Sequence, residues 1–314
     1  MIRANELIRS YDDFIAVDQL SFEIKPGEIV GLLGHNGAGK TTLLKMLTGY
    51  LEPSSGQIVI DALDMATERQ DIQKKIGYLP ENCPVYNEMT IIDYLNFAAE
   101  LHGIPKADQD TAVYRAIART ELQEKASQAI STLSRGFRQR VGVAQAILHE
   151  PEILILDEPT NGLDPSQIQH MRELIRELSK KATVIISTHI MQEVQAVCDR
   201  AIIIRRGKKV LDARLDELQQ AQRLFVTVNA KPEEFAAIIQ GISSIDGIDH
   251  VNEQDTLYNY ALQLSEHPER HIAPQVARQI MDQGYQLHAL HQEKRDLESV
   301  FREINTDQGG QPHV

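Results

Sequence analysis

The fold of this chain is decided by one stretch near its N-terminus, Gly34-His35-Asn36-Gly37-Ala38-Gly39-Lys40-Thr41. The stretch follows an apolar run at residues 29–33 and precedes a helical pattern that starts at Thr42. Glycines between a strand and a helix let consecutive backbone N–H groups face one anion, and the helix N-terminus adds partial positive charge. We therefore expect residues 34–42 to bind a nucleoside triphosphate, with Lys40 at its β- and γ-phosphates and the Thr41 hydroxyl on Mg²⁺.

A second apolar run, residues 153–156, ends in two adjacent carboxylates, Asp157 and Glu158. In a parallel sheet this run would end at the same edge as the loop, so that its carboxylates face the phosphates. Asp157 is suited to hold Mg²⁺ directly or through water, and Glu158 is suited to polarise an attacking water. The loop and the carboxylates together predict hydrolysis of the bound triphosphate.

Two domains are predicted from the length of 314 residues and from a change of pattern near residue 215. In residues 1–215, short β-branched runs alternate with longer helical patterns, which is typical of an α/β domain with a parallel sheet. Residues from about 90 to 140 have helical spacing of their apolar side chains and are predicted to form a helical subdomain. In 216–314 the order β-α-β-β-α-β predicts a small α+β, ferredoxin-like domain, followed by an amphipathic helix at 297–304.

The composition excludes several classes of protein. With 42% hydrophobic and 25% charged residues, the chain is expected to bury a core rather than to be disordered. Its net charge of −13 has the wrong sign for a protein held to nucleic acid by a basic surface, so we expect no nucleic-acid partner. The sequence has no pattern of a signal peptide and no apolar run near the ~20 residues of a spanning helix, so we expect neither export nor a membrane-embedded chain.

The cysteines and the C-terminal histidines predict no metal or disulfide chemistry. Cys83 and Cys198 lie far apart and have no His or Cys nearby at the spacing of metal ligands, which favours a reducing cytoplasm. Five histidines of the C-terminal domain are scattered among polar residues, and we expect them to face solvent: His250, His267, His271, His288 and His291.

The stretch upstream of Asp157 identifies a family. Its sequence is Leu133-Ser134-Arg135-Gly136-Phe137-Arg138-Gln139-Arg140. It resembles the signature motif of ATP-binding-cassette (ABC) ATPases, usually LSGGQ followed by a basic, glutamine-containing stretch. Further motifs stand in the family's order over the first 215 residues: Tyr11 resembles the aromatic residue that stacks on adenine, Glu81 stands at the Q-loop position, residues 161–164 resemble the D-loop and His189 resembles the switch histidine.

This resemblance implies a P-loop NTPase fold of the ABC type, with ATP and Mg²⁺ as ligands and a second ATPase subunit as partner. Ser134, Arg135 and Gly136 would contact the ATP held by the second copy, and Asp164 would couple the two sites at the dimer seam. His189 would hydrogen-bond the γ-phosphate and act with Glu158 in catalysis. The Mg²⁺ ligands that it implies are Thr41, Glu81 and Asp157.

Three positions depart from the usual pattern. Arg135 replaces the first signature glycine, Phe137 replaces the glutamine, and Glu81 replaces the Q-loop glutamine. A carboxylate can still ligate Mg²⁺, and Arg135 could add a charge-assisted contact to phosphate. Such variants, and the ending at residues 296–301, resemble the branch of bacterial ATPases that export drugs, lipids and polysaccharides or drive gliding motility.

We therefore expect an ATPase subunit of a bacterial ABC exporter, working as a homodimer at the cytoplasmic face of the cell membrane with a separately encoded permease. One alternative is an importer ATPase with a C-terminal regulatory domain. The other is a non-transport ABC ATPase that acts on ribosomes or DNA repair complexes. For the C-terminal domain we expect a regulatory or dimer-supporting role.

Overall fold

The computed structural model describes residues 1–218, 223–254, 256–265 and 272–292. The chain divides into two units, Met1–Leu215 and Asp216–Val314. His267, His271, the predicted helix at 297–304 and the ending at 296–301 lie outside the described residues.

The helices and strands of the described residues are numbered in chain order. The strands are β1 (Ile2–Tyr11), β2 (Phe14–Ile24), β3 (Ile29–Leu33), β4 (Ser55–Ile60), β5 (Leu63–Asp64), β6 (Ile76–Leu79), β7 (Ile153–Asp157), β8 (Thr183–Thr188), β9 (Arg200–Arg205), β10 (Lys208–Arg214), β11 (Arg223–Val228), β12 (Ile245–Gln254), β13 (Leu257–Leu264) and β14 (Leu287–Gln292). The α-helices are α1 (Lys40–Leu47), α2 (Arg69–Gln73), α3 (Ile91–Leu101), α4 (Lys106–Arg119), α5 (Arg135–Ala146), α6 (Pro165–Ser179), α7 (Met191–Val197), α8 (Leu215–Leu218), α9 (Pro232–Ile239) and α10 (Ile272–Asp282).

A six-stranded sheet in the order β10-β9-β3-β8-β7-β6 forms the centre of the N-terminal unit. Five of these strands are parallel to one another: β9, β3, β8, β7 and β6. The edge strand β10 is antiparallel to β9. Every residue of β3, β7 and β8 is buried, as the apolar runs predict for a sheet covered on both faces. Because β8 lies between β3 and β7, the ends of these three strands meet at one edge.

A second, antiparallel sheet in the order β2-β1-β4-β5 packs against the first through α1. One hydrophobic core contains Leu20 of β2, Leu43 of α1 and Ile155 of β7, all fully buried. The hairpin between β1 and β2 turns at residues 12–13, where Tyr11 pairs with Phe14. This hairpin therefore places the aromatic residues Tyr11 and Phe14 directly opposite each other at its turn.

Helices occupy the region where the sequence predicts a helical subdomain at about 90–140. These are α3, α4 and α5, and α5 continues to Ala146 because Val141, Val143 and Ala144 are buried and extend its packed face. The Thr90 hydroxyl accepts a hydrogen bond from the Asp93 N–H and caps the start of α3.

The C-terminal unit has the element order β11-α9-β12-β13-α10-β14. Its antiparallel sheet has the strand order β12-β13-β11-β14. This is the β-α-β-β-α-β order that the sequence predicts. Phe235 of α9 and Tyr260 of β13 are buried and stacked with their ring centroids 4.0 Å apart. Of the described histidines in this unit, His250, His288 and His291 are exposed.

Among the described residues, no helix is both long enough and apolar enough to cross a membrane.

Candidate functional site

At two positions, the loop between β3 and α1 has no room for a Cβ atom and therefore requires glycine. Gly39 has φ +106°, and a Cβ there would lie 2.4 Å from the Ala16 carbonyl oxygen. A Cβ on Gly34 would lie 2.5 Å from the Ile204 carbonyl oxygen. Gly37 also has a positive φ, +80°, and has open space on the side of its missing Cβ. The loop is thus held against β2 and β9 and leaves room above its backbone.

Lys40, the first residue of α1, is buried, with 6% of its surface exposed. Its Nζ donates a hydrogen bond to the Gly34 carbonyl at 2.7 Å and lies 3.6 Å from Glu158 Oε1. A buried ammonium group needs anionic or carbonyl partners. The Gly34 carbonyl and the Glu158 carboxylate provide both.

Asp157 is fully buried at the end of β7, and only one of its two carboxylate oxygens has a hydrogen-bond partner among the described residues. Ser187 of β8 donates its hydroxyl to Asp157 Oδ1, while Asp157 Oδ2 has no hydrogen-bond partner among the described residues. A buried carboxylate oxygen without a partner carries a large desolvation cost, which a cation would offset. Asp157 therefore fits the Mg²⁺ ligand that the sequence predicts.

Glu158 has the left-handed backbone conformation, with φ +50°. Its N–H donates to the Ser187 carbonyl at 3.0 Å, which fixes this turn against β8. The carboxylate then reaches His189, with Glu158 Oε2 3.0 Å from His189 Nδ1. His189 contacts one oxygen of the Glu158 carboxylate and Lys40 lies near the other, so the carboxylate is held in one orientation.

A cavity of about 440 Å³ lies above the loop. Its lining contains residues 35–42 together with Phe14, Ala16, Glu81, Glu158, Asn161 and His189. The structure therefore brings together, in one cavity, most of the predicted nucleotide-binding residues with Glu81, Glu158 and His189. Gly34 and Asp157 are buried and are not among the residues that line it in the described chain.

Three residues of this lining are not among the predicted site residues: Phe14, Ala16 and Asn161. Phe14 could have been found from its position across a two-residue turn from Tyr11, the residue predicted to stack on adenine. Asn161 is the first residue of the predicted D-loop and faces the cavity of its own chain. Tyr11 is absent from the lining in the described part of the chain, and the Arg9 guanidinium lies 4.7 Å from its ring centroid.

Two further predicted residues, Ser134 and Asp164, cap helices. Ser134 is the N-cap of α5, and its hydroxyl accepts a hydrogen bond from the Phe137 N–H at 3.4 Å. Asp164 is the N-cap of α6 and accepts from the Gln167 N–H at 2.9 Å, while the Gln167 side chain accepts from the Asp164 N–H. The cavity lining of the described chain includes neither Ser134, Arg135, Gly136 nor Asp164.

Comparisons with known proteins agree with this geometry. The family model described as "ABC transporter" matches residues 17–161. The uncharacterized ABC transporter ATP-binding protein YxlF of Bacillus subtilis is 32% identical over 304 residues, which cover 97% of this chain and 99% of that protein. The bacitracin transport ATP-binding protein BcrA of Bacillus licheniformis is 36% identical over 241 residues, covering 76% and 78%.

A solved structure shares both the fold and part of the sequence. It is cbiO1 from Clostridium perfringens, part of the ABC transporter complex cbiONQ, with a TM-score of 0.62 and 30% identity over 68% of this chain and 88% of that one. With its phosphate-binding loop, its paired carboxylates and a relative that matches over nearly the whole length, the chain belongs to the ABC transporter family as one of its ATP-binding, ATP-hydrolysing proteins.

Proposed function

We propose that this chain is the ATPase subunit of a bacterial exporter whose permease is a separate membrane protein, and that two copies of the chain enclose two ATP molecules between them. The observation that carries the proposal is the single cavity that joins the phosphate-binding loop, Glu158 and His189. The similarity to BcrA, named for bacitracin transport, and the substitutions at Glu81 and Arg135 support the exporter branch. In this assignment the chain acts at the cytoplasmic face of the membrane.

Thr41, Asp157 and Glu81 would hold Mg²⁺ with the β- and γ-phosphates. When bound, the ion neutralises charge on the phosphate oxygens and so favours displacement of ADP. The partnerless oxygen of Asp157 and the position of Glu81 in the cavity wall fit this role.

The reaction is an in-line attack of water on the γ-phosphorus. The new P–O bond forms as the bond to the β,γ-bridging oxygen breaks, and Glu158 accepts the proton that the water loses. Lys40 Nζ lies 3.6 Å from Glu158 Oε1. The γ-phosphate gives Lys40 a stronger anionic partner, which leaves Glu158 to act on the water with His189 beside it.

Residues that do not line the cavity of their own chain support the proposed dimer. Ser134 and Asp164 are exposed at the N-termini of α5 and α6. A helix N-terminus favours an anion, so a second copy could present α5 to the phosphates of the first. We assign Ser134 and Gly136 to this contact and Asp164 to the seam, whereas Arg135, which the family resemblance also places there, packs beside Gly162 of its own chain.

Aromatic side chains of the β1–β2 hairpin are assigned to the adenine ring. We expect Tyr11→Ala and Phe14→Ala each to raise the KM for ATP by roughly tenfold with kcat within about twofold, because a lost base stack costs on the order of 1–3 kcal/mol. Steady-state phosphate release as a function of ATP concentration measures both constants. Tyr114→Ala, an exposed aromatic of α4, is the matched control and should leave KM unchanged. A wild-type KM in both hairpin variants would contradict the assignment of these side chains to the adenine ring.

The transport role is tested by isolating the full chain with an affinity tag from membranes of a bacterium that produces it. We expect an integral membrane protein to co-purify and to change the rate of ATP hydrolysis when the two are reconstituted in vesicles. Co-purification with a solute-binding protein would instead indicate an importer. Recovery only with ribosomes or DNA repair proteins would contradict transport.

A further inference from the structure

Arg135, which stands where the family usually has a glycine, packs against the D-loop of its own chain. A Cβ added to Gly162 would lie 2.6 Å from the Arg135 Cζ and 2.7 Å from its Nε, so the guanidinium covers the side of Gly162 where a side chain would project. Gly162 has φ +74°, a conformation that glycine adopts without strain. The guanidinium therefore packs against the Gly162 backbone.

The next residue of α5 makes a second contact to the same segment. A Cβ on Gly136 would lie 2.4 Å from Gln167 Oε1. That same oxygen accepts the hydrogen bond from the Asp164 N–H at 3.3 Å. Two consecutive residues at the start of α5 therefore border both ends of residues 162–167.

The segment leads directly back to the catalytic glutamate. The Asn161 N–H donates to the Glu158 carbonyl at 3.1 Å, and the Leu163 N–H donates to the Thr160 carbonyl at 3.1 Å. Asn161 lines the phosphate cavity beside Glu158. Because these two hydrogen bonds form consecutive tight turns, a shift of Gly162 would also move the side chains of Glu158 and Asn161.

We propose that Arg135 is a positioning residue: its guanidinium braces Gly162 and so holds Glu158 and Asn161 in the orientation that hydrolysis requires. The inference rests on the proposed ATPase cycle and deepens it. It differs from a contact between Arg135 and phosphate of a second copy, because bracing couples Arg135 energetically to Gly162, whereas a phosphate contact does not.

A double-mutant cycle with the purified full chain tests this supporting contact between Arg135 and Gly162, which we call the brace. We expect Arg135→Ala to lower kcat about tenfold and to leave the KM for ATP within about twofold. Gly162→Ala should lower kcat at least about fivefold more in the wild-type background than in the Arg135→Ala background, since residues in direct contact couple. The backbone strain of Ala at a positive φ is common to both backgrounds and cancels.

Two control variants isolate the contact. Gly103 has φ +70° and no atom within 4 Å of an added Cβ, so Gly103→Ala carries similar strain without a clash and should have the same effect in both backgrounds. Arg138→Ala removes an exposed arginine of the same helix and should retain the wild-type kcat.

Equal effects of Gly162→Ala in the two backgrounds would overturn the brace. So would a raised KM with an unchanged kcat in Arg135→Ala, which would assign Arg135 to phosphate binding. A wild-type chain that hydrolyses no ATP would contradict the proposed function and the inference together, whereas an active wild type without coupling would overturn the inference alone.

Discussion

Glu158→Gln is expected to lower the rate of ATP hydrolysis by about a thousandfold while the Kd for ATP stays within about threefold of the wild-type value. The amide keeps the shape of the side chain and can still contact His189, but it cannot accept a proton from the attacking water. Lys40 and the backbone of the loop still bind the phosphates. Hydrolysis and binding are therefore expected to separate in this variant.

Phosphate release under saturating ATP and Mg²⁺, together with equilibrium binding of a fluorescent ATP analogue, measures the two effects. Glu193→Gln is the matched control, because Glu193 is also a buried glutamate and accepts a hydrogen bond from the Thr188 hydroxyl at 3.1 Å, outside the cavity lining. The control should turn over like the wild type. Substantial hydrolysis by Glu158→Gln would require another proton acceptor.

Lys40→Ala is expected to weaken ATP binding by roughly ten- to a hundredfold. A hydrogen bond to a charged group contributes about 1.5–3 kcal/mol, and the Lys40 ammonium is buried at the mouth of the loop, where solvent screens it little. The substitution also removes the cation that lies beside Glu158, which adds an unpaired negative charge next to the incoming phosphates.

Equilibrium binding of labelled ATP by the purified variant measures this loss. Lys45→Ala removes an exposed lysine from the last turn of the same helix and controls for the change in total charge. It should bind like the wild type. An unchanged affinity in Lys40→Ala would mean that the triphosphate does not occupy the loop.

The parts of the site that lie within one segment could be predicted from the sequence. The apolar strand before Gly34 and the helix after Lys40 define the phosphate loop, and the apolar strand before Asp157 places its carboxylates at the edge of the sheet. Each of these patterns depends on neighbours in the chain and on the geometry of parallel strands.

The contacts between distant segments could not be predicted in this way. The pairing of Glu158 with His189 depends on β8 lying beside β7, and the position of Phe14 depends on the twist of a hairpin beside the loop. Arg135 reaches Gly162 because α5 and the D-loop pack together across a gap of 27 residues in sequence. No local pattern encodes such packing.

Sequence and structure give different accounts of Ser134 and Asp164. The family resemblance assigns both to contacts across a dimer, whereas the structure gives them helix-capping roles within one chain. The two roles are compatible, because a capping side chain at an exposed helix N-terminus can lie in an interface. Their role toward a second copy stays a prediction.

The central claim is that two copies of this chain close on ATP. The most direct measurement is the mass of the Glu158→Gln protein in solution by light scattering, with and without ATP and Mg²⁺. We expect the mass of one chain without nucleotide and twice that mass at saturating ATP. The mass of a single chain at every ATP concentration, in a variant shown to bind ATP, would contradict it.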